Sequence, residues 1–323
     1  MIFPLQSLRA IAALLVIGVH GSNNIIYRNF GEENVVSAWL NLWGDLGVDI
    51  FFVLSGFIIA LSAQKSESVA AFLMGRVFRI YPLYILSLVV YLAIFILGQS
   101  QLGYFDLFYS IFLVFQKRGD LYYSLLGSAW TLGSEFLFYF FCALYILSSK
   151  FYSVGLAARL AIPLLALFVM PYVHPVMIEF LLGILIYFVY FKKLSFFPLL
   201  TVLLGLVSSF LLIGFDYLEN FTSNEFHFFY FGLLASFVLC FSLAFDASTR
   251  LLEYLGKISY SLFLILMALT IHVFEKVWSL LGPHSFFAGF VVYKFMCIVV
   301  VSFVYYFFEK PVYSGLKSRY LLS

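Results

Sequence analysis

The first apolar stretch of the chain reads Ser7-Leu8-Arg9-Ala10-Ile11-Ala12-Ala13-Leu14-Leu15-Val16-Ile17-Gly18-Val19-His20. Within residues 5–22 it is long enough for a helix that crosses a bilayer, and it carries Arg9 near one end and His20 at the other. At about 1.5 Å per residue, the two side chains lie about 16 Å apart along the helix axis, roughly half the hydrocarbon thickness of a membrane. Ionisable groups are costly at this depth, so we expect each of them to have a partner or a function.

The composition of the whole chain is that of a membrane protein. Of its 323 residues, 64% are hydrophobic and 11% are charged, and the mean hydropathy is +1.06, whereas about a quarter of the residues of a soluble domain are charged. We therefore predict an all-α fold, a polytopic bundle of transmembrane helices. Residues 5–22 lack a basic region before them and a cleavage pattern after them, so we interpret them as a retained first span rather than a signal peptide.

Nucleic acid and metal ions are not expected as partners. The net charge of +2 comes from cations that are spread through the loops rather than gathered on one face, which argues against nucleic acid. The three cysteines, Cys142, Cys240 and Cys297, lie inside apolar runs without the spacing of a metal site or a disulfide framework. We predict buried, inert thiols and no metal.

Ten apolar segments are long enough to span a bilayer. They are residues 5–22, 46–63, 79–98, 131–148, 154–173, 176–191, 197–214, 228–245, 258–275 and 286–308. Residues 105–116 are apolar but short, which favours an interfacial or half-inserted helix. No linker, repeat or low-complexity segment divides the chain, so the sequence predicts a single membrane domain over residues 1–323 without an appended soluble domain.

The distribution of positive charge predicts the orientation of these spans. With the N-terminus in the cytoplasm, thirteen of the 18 lysines and arginines fall in inner segments and four in outer segments, while Lys294 falls inside the last span. Cytoplasmic loops carry such an excess of cations. An eleventh span over residues 105–116 would move most of the cations outside. Ten spans with both termini in the cytoplasm is therefore the predicted topology.

Three ionisable side chains, His20, Asp49 and Glu135, lie on the outer side in this topology, each on a different predicted span. A histidine beside a carboxylate is suited to act as a general base, because the acid orients its other ring nitrogen. One alternative is a histidine that is satisfied by a neighbouring helix. For the two carboxylates, the alternatives are an ion pair or a cap on the N-terminus of their own helix.

Two arginines, Arg76 and Arg79, lie on the inner side. They are three residues apart and share one face if the third helix begins there. Paired guanidinium groups suit phosphate oxygens, which they bind bidentately. The alternative is that they are positive-inside anchors that contact lipid phosphates.

Other polar residues within the spans have simpler interpretations. Ser55 and Gly56 are typical of close helix packing, and no Gly-x-Ser-x-Gly motif is present that would make Ser55 a nucleophile. Glu179 and Lys294, on the outer halves of late spans, are expected to pair or to extend towards the membrane surface.

Together these motifs resemble the acyltransferase-3 family of integral membrane acyltransferases, which modify bacterial surface glycans and some small molecules. The matching residues run through nearly the whole chain in the family's order: Arg9 and His20; Gly47, Asp49, Phe51, Phe52, Ser55, Gly56 and Phe57; Arg76, Arg79 and Pro82; Trp130, Thr131, Leu132, Glu135 and Tyr139; Leu255–Leu264; and Glu309, Lys310 and Pro311. One position departs from the family. Leu266 stands where a histidine is often found, which we interpret as a subgroup trait linked to the choice of acceptor.

The resemblance implies a site for two substrates. Acyl-CoA, with acetyl-CoA as the expected donor, would enter from the cytoplasm and place its phosphates on Arg76 and Arg79. Arg9 would bind the donor or hold the helices in register, and Ser55 is assigned to the donor-binding residues. His20 would deprotonate the acceptor hydroxyl, oriented by Glu135 or Asp49, or would carry the acyl group transiently.

The sequence and the resemblance thus predict a multi-pass O-acyltransferase of the bacterial inner (plasma) membrane. It would transfer an acyl group from acyl-CoA to a hydroxyl of a cell-surface glycan or lipid-linked saccharide. Membrane lipids, proteins of polysaccharide synthesis and a second copy of the chain are further expected partners. The alternatives are a membrane transporter and a non-catalytic partner in polysaccharide export.

Overall fold

The protein is almost entirely helical. A computed structural model describes residues 3–19, 35–66, 68–97, 104–113, 116–118, 121–123, 125–127, 129–150, 176–191, 201–207, 227–245, 248–281 and 286–320. In these ranges the regular structure consists of helices and one pair of three-residue strands. The predicted helical class is confirmed in this form.

Three helices open the chain. Helix α1 covers Phe3–Val19, α2 covers Val35–Lys65 and α3 covers Val69–Leu97. The turn between α2 and α3 is short, and the hydroxyl of Ser68 caps α3 by accepting a hydrogen bond from the Ala71 N–H at 3.0 Å. Both α2 and α3 begin about ten residues before the spans predicted from hydropathy, because the helix continues beyond the apolar run.

A short helix and a hairpin follow. Helix α4 covers Tyr104–Ile111, and strands β1 (Gln116–Arg118) and β2 (Leu121–Tyr123) pair antiparallel. Leu113 has a φ of 53°, the left-handed conformation in which many helices end. The eight residues of α4 are too few to cross a bilayer, in agreement with the prediction for residues 105–116. Hydropathy did not predict the hairpin.

The remaining elements are again helical. Helix α5 covers Ala129–Lys150, α6 covers Met177–Phe191, α7 covers His227–Ala244, α8 covers Arg250–Leu281 and α9 covers Phe286–Val304. Residues 201–207 are helical too. One turn of π-helix, Tyr305–Glu309, joins α9 to the final helix α10, Lys310–Tyr320. The predicted span over residues 154–173 lies outside the described residues.

The chain is a membrane protein. Among the described residues, three helical stretches are long and apolar enough to cross a bilayer: Trp43–Lys65, Val69–Ile94 and Lys294–Tyr320. Large apolar side chains are left exposed along the last of these, including Phe295, Phe303 and Phe307 at 63–71% exposure, as expected for a face that contacts lipid. The count of ten spans and the cytoplasmic position of both termini stay predictions.

The described helices form two compact units whose segments alternate along the sequence. The first unit consists of Met1–Val16, Glu33–Phe72 and Phe138–Lys257, and the second of Ile17–Glu32, Leu73–Leu137 and Ile258–Ser323. Helices α1, α3, α5 and α8 each contribute residues to both units.

Glycines bring α2 and α6 close together in the first unit. A β-carbon at Gly56 would collide with the backbone carbonyl of Phe180, and one at Gly183 would collide with the carbonyl of Val53. The predicted packing role of Gly56 is therefore confirmed. The ring of Phe180 also stacks on Phe138 of α5, with centroids 4.4 Å apart. This crossing fixes the relative positions of the polar side chains that α2 and α6 carry.

Candidate functional site

Asp49 lies deep in the first unit. It is the fifteenth residue of α2, which begins at Val35, and its side chain is 2% exposed. The alternative that Asp49 caps the N-terminus of its own helix is therefore wrong, because a cap lies beside the first turn. Gly47, half a turn away, contacts α1, where a β-carbon would lie 2.7 Å from the carbonyl oxygen of Ala12.

Glu179 of α6 is the partner that the structure gives to Asp49. Its side chain is fully buried, and the two carboxyl groups lie within hydrogen-bonding reach of each other. Neither oxygen of Glu179, nor Oδ2 of Asp49, has an N–H or O–H donor among the described residues. From the sequence, Glu179 was expected only to pair with Lys294 or to extend towards the membrane surface. Its signal was present, since an acidic residue inside a span is itself an indication of function.

The arginine pair lies well inside a helix. Because α3 begins at Val69, Arg76 and Arg79 are its eighth and eleventh residues, not the start of a helix after a loop. Both fall within the candidate span Val69–Ile94, and both side chains are half-buried. The prediction that they share one helix face is confirmed by the continuous helix. They lie about 10–15 Å along the helix from its first residue, Val69, and their predicted position at the cytoplasmic membrane surface stays a prediction.

Two segments that the sequence singled out near its end meet the arginine helix and each other in the second unit. The hydroxyl of Tyr260, on α8, donates a hydrogen bond to the backbone carbonyl of Ile80, at 3.1 Å. The hydroxyl of the next residue, Ser261, donates to a carboxylate oxygen of Glu309. Glu309 ends the π-helical turn Tyr305–Glu309, a local geometry that is frequent at functional sites. From the sequence, these residues were identified only as part of the family resemblance, and no role was predicted for them.

Glu135 lies on α5, which begins at Ala129, so it is in the second helical turn and not in the capping position. Its side chain is half-buried. The next residue, Phe136, packs edge-on against Tyr81 of α3, with ring centroids 5.3 Å apart. The segment with Glu135 therefore contacts the segment with Arg79. The prediction that these residues lie in opposite layers of the membrane is not supported by this contact.

The other predicted site residues are distributed over both units. Arg9 on α1 and Ser55 on α2 are half-buried and belong to the first unit, as does Asp49, whereas Arg76, Arg79 and Glu135 belong to the second. His20 lies outside the described residues. Ile17, three residues before His20, lies in the last turn of α1. Its backbone carbonyl accepts a hydrogen bond from the ammonium group of Lys294 on α9.

The arginine pair on α3 is suited to bind an anion. In the described ranges, no three histidine, cysteine, aspartate or glutamate side chains are grouped so that they could hold a metal ion. Two guanidinium groups on one helix face offer a fork of donors that matches the geometry of phosphate oxygens.

Comparison with known proteins gives the family. The family model described as an acyltransferase domain, that of the acyltransferase-3 family, matches residues 5–309. Acyltransferase MdmB of Streptomyces mycarofaciens is 35% identical over 88 residues, which are 27% of this chain and 22% of that protein. Exopolysaccharide production protein ExoZ of Rhizobium meliloti (strain 1021) is 31% identical over 160 residues, 44% of this chain and 50% of that protein.

A third relative, protein 2 in the picA locus of Rhizobium radiobacter, is 34% identical over 97 residues, 28% of this chain and 44% of that protein. The chain thus matches half or less of the length of each of these relatives. No solved structure matches it. The family match covers nearly all of the residues that carry the site, from α1 to the π-helical turn. The chain belongs to the acyltransferase-3 family.

Proposed function

We propose that this protein is a membrane O-acyltransferase. It transfers an acyl group, acetyl in the simplest case, from acyl-CoA to a hydroxyl of a cell-surface glycan or a lipid-linked saccharide. The observation that carries the proposal is the pair Arg76 and Arg79, half-buried and inside a candidate membrane span, in a chain of the acyltransferase-3 family. Ionisable residues inside membrane spans commonly mark substrate paths, which supports this role for the pair.

The donor site is built on the arginine face of α3. Arg76 and Arg79 bind the phosphates of acyl-CoA through bidentate, charge-assisted hydrogen bonds. Support from α8 fixes this face, because Tyr260 bonds to the carbonyl of Ile80, the residue after Arg79. Within the proposal, Arg9 and Ser55 belong to the donor-binding residues; the other role open to Arg9 is to hold the helices in register.

His20 is the proposed general base, and Asp49 and Glu135 are its candidate orienting acids. His20 removes the proton of the acceptor hydroxyl while the hydroxyl oxygen attacks the carbonyl carbon of the thioester. The C–S bond then breaks, and the sulfur leaves and takes up a proton. General-base assistance of this kind is worth about 10²–10⁴-fold in rate. A transient acyl-histidine is the covalent form of the same proposal.

One relative supports the proposed acceptor, and the predicted topology supports the proposed setting. A protein named for exopolysaccharide production is among the relatives, which supports a glycan acceptor. We place the chain in the bacterial inner membrane with ten spans and both termini in the cytoplasm, so that the donor reaches Arg76 and Arg79 from inside. Proteins of polysaccharide synthesis and a second copy of the chain are the proposed partners.

The experiment that tests this function measures donor binding and product formation. The double variant Arg76→Gln/Arg79→Gln in lipid nanodiscs is expected to bind acetyl-CoA at least 100-fold more weakly than the unchanged protein in isothermal titration calorimetry. The control is Lys317→Gln/Arg319→Gln, which removes two exposed cations from α10 and is expected to bind normally. Equal affinity of both double variants for acetyl-CoA would show that Arg76 and Arg79 do not bind the donor and act instead as lipid anchors.

Product formation is measured by mass spectrometry of the surface polysaccharide in cells with and without the protein. An acyl group that is present only with the protein identifies both the reaction and the group transferred. His20→Ala is expected to abolish this product while the protein is made at its normal level. Unchanged acylation in His20→Ala would eliminate the assignment of the base but not the activity.

A further inference from the structure

The buried carboxyl groups of Asp49 and Glu179 form a pair of which the proposed reaction uses only Asp49. They come from α2 and α6, and they are held in place by the glycine crossing of these helices at Gly56 and Gly183. Helix α7 closes the third side, where a β-carbon at Gly232 would lie 3.0 Å from Cγ of Glu179. Glu179 is therefore closely packed against the backbone of α7.

No donor in the described part of the chain serves the facing oxygens of this pair. Both oxygens of Glu179 and Oδ2 of Asp49 lack a hydrogen-bond donor, and so does the hydroxyl of Ser236, one turn after Gly232 on α7. Among the described side chains, the other acidic and basic groups on the helices packed around the pair are Asp45, exposed one turn earlier on α2, Lys65 at the C-terminal end of α2, and Arg9 on α1. The guanidinium group of Arg9 does not bond to any of these orphaned oxygens.

Two ionised carboxylates in contact would repel each other strongly in apolar surroundings. An ionised carboxylate only accepts hydrogen bonds, so the observed approach becomes favourable when one of the two groups carries a proton and donates it to the other. Pairs of this kind titrate as a unit, with properties that belong to neither residue alone.

We propose that Asp49 and Glu179 hold one proton between them and act as a single acid–base unit in acyl transfer, with Glu179 as a positioning residue that acts through Asp49. The catalytic part of this inference rests on the proposed function. In that reaction a C–O bond forms, a C–S bond breaks, the hydroxyl loses a proton and the sulfur gains one. The pair with one proton can accept the second from the base and return it towards the sulfur, so protons balance over the cycle.

A purely structural role is the competing explanation, and isosteric substitutions separate the two. In Glu179→Gln the amide keeps the shape of the side chain and donates a hydrogen bond to Asp49 without an exchangeable acid proton. We expect this variant to unfold at the same temperature and to bind acetyl-CoA as the unchanged protein does. Its turnover is expected to fall roughly 10²-fold, the usual worth of acid–base assistance.

The pair can also be recognised by non-additivity and by infrared spectroscopy. Asp49→Asn/Glu179→Gln is expected to turn over no more slowly than Asp49→Asn alone, because residues that act as a unit do not contribute independently.

The unchanged protein should show the C=O stretching band of a protonated carboxylic acid. That band should shift in each single variant, disappear in the double variant and persist in Asp45→Asn, the matched control on the exposed side of α2.

The outcomes are distinct. Normal turnover in Glu179→Gln would overturn the catalytic unit while leaving the proposed acyltransferase intact. Absence of the infrared band from the unchanged protein, or an unfolding temperature that depends on sodium or potassium, would indicate a bound metal cation and overturn the shared proton. Failure of the unchanged protein to acylate any acceptor would remove the proposed function, and with it the catalytic role of the pair, whereas the band would still report the proton.

Discussion

Tyr260 and Ile80 are joined across the second unit by a hydrogen bond of 3.1 Å, from the tyrosine hydroxyl to the backbone carbonyl. Ile80 follows Arg79 and precedes Pro82 by two residues on α3. Because proline has no N–H, the carbonyl four residues before it, that of Phe78, has no helical partner, and the helix is weakened at this place. The bond from Tyr260 therefore supports α3 next to the arginine pair, where its backbone is least able to hold itself.

Tyr260→Phe is expected to weaken donor binding more than turnover. Removal of the hydroxyl leaves the ring in place and eliminates one hydrogen bond, which is worth about 1 kcal/mol to the free energy of unfolding. With α3 less firmly held, the KM for acetyl-CoA should rise several-fold and kcat should change little. Steady-state kinetics and thermal unfolding measure the two effects. Tyr313→Phe on α10 is the control, and an equal rise of KM in both variants would contradict the role given to Tyr260.

Gly183→Ala should destabilise the first unit severely. The added methyl group would collide with the carbonyl of Val53, which belongs to helix backbone and has no room to move. Overpacking of this kind costs about 1–3 kcal/mol or more. At Gly315 on α10 nothing lies within 4 Å of an added β-carbon. Gly315→Ala should therefore stabilise by about 0.5–1 kcal/mol, as alanine does in a helix.

Unfolding temperatures in detergent give the comparison between the two alanine variants. A small or absent difference between Gly183→Ala and Gly315→Ala would show that α2 and α6 are separated further than the structure places them. The Asp49–Glu179 contact would then be lost as well, because it depends on the same crossing.

The helices and the family could be read from the sequence, because apolar runs and ordered short motifs are local signals. The residues at which the helices begin could not be predicted in the same way. Val35 and Val69 begin helices well before the apolar runs, since backbone hydrogen bonding continues through residues that hydropathy does not count. Because the predicted helices started too late, Asp49 was expected at the end of a helix and Arg76 in a loop.

The Asp49–Glu179 pair is a second feature that could not be predicted from the sequence. Asp49 and Glu179 are separated by 130 positions, and nothing in the periodicity of either helix indicates which face meets which. The decisive information lies in Gly56 and Gly183, whose missing side chains allow α2 and α6 to approach. One glycine was recognised as a packing residue, but its partner helix was not. A lone glycine indicates that something packs closely against it and does not indicate what.

Glu135→Gln is expected to reduce turnover more than donor binding. Glu135 lies beside the Phe136–Tyr81 contact between α5 and α3, so its carboxylate is held close to the segment that carries the proposed donor site. Loss of an orienting carboxylate should lower kcat by about 10²-fold and leave the Kd for acetyl-CoA unchanged. Glu253→Gln, in the first turn of α8, is the control. A fall in unfolding temperature without a fall in kcat would make Glu135 a structural residue.

Lys294→Met tests whether the end of α1 is held in place for catalysis. The last four carbonyls of a helix have no partner within it, and the ammonium group of Lys294 satisfies that of Ile17, three residues before His20. A cation at a helix C-terminus is also favourable for the helix dipole. Methionine keeps most of the length and the apolar stem but cannot donate a hydrogen bond. We expect the free energy of unfolding to fall by about 1–2 kcal/mol.

The same substitution should lower kcat by at least about tenfold, because small displacements of a reacting group are expensive in rate. The Kd for acetyl-CoA should stay unchanged, since Arg76 and Arg79 are not altered. Lys317→Met on α10 removes an exposed lysine and is expected to change neither quantity. If Lys294→Met lowered stability and left kcat unchanged, Lys294 would anchor α1 without positioning His20, and the base would have to be held from elsewhere.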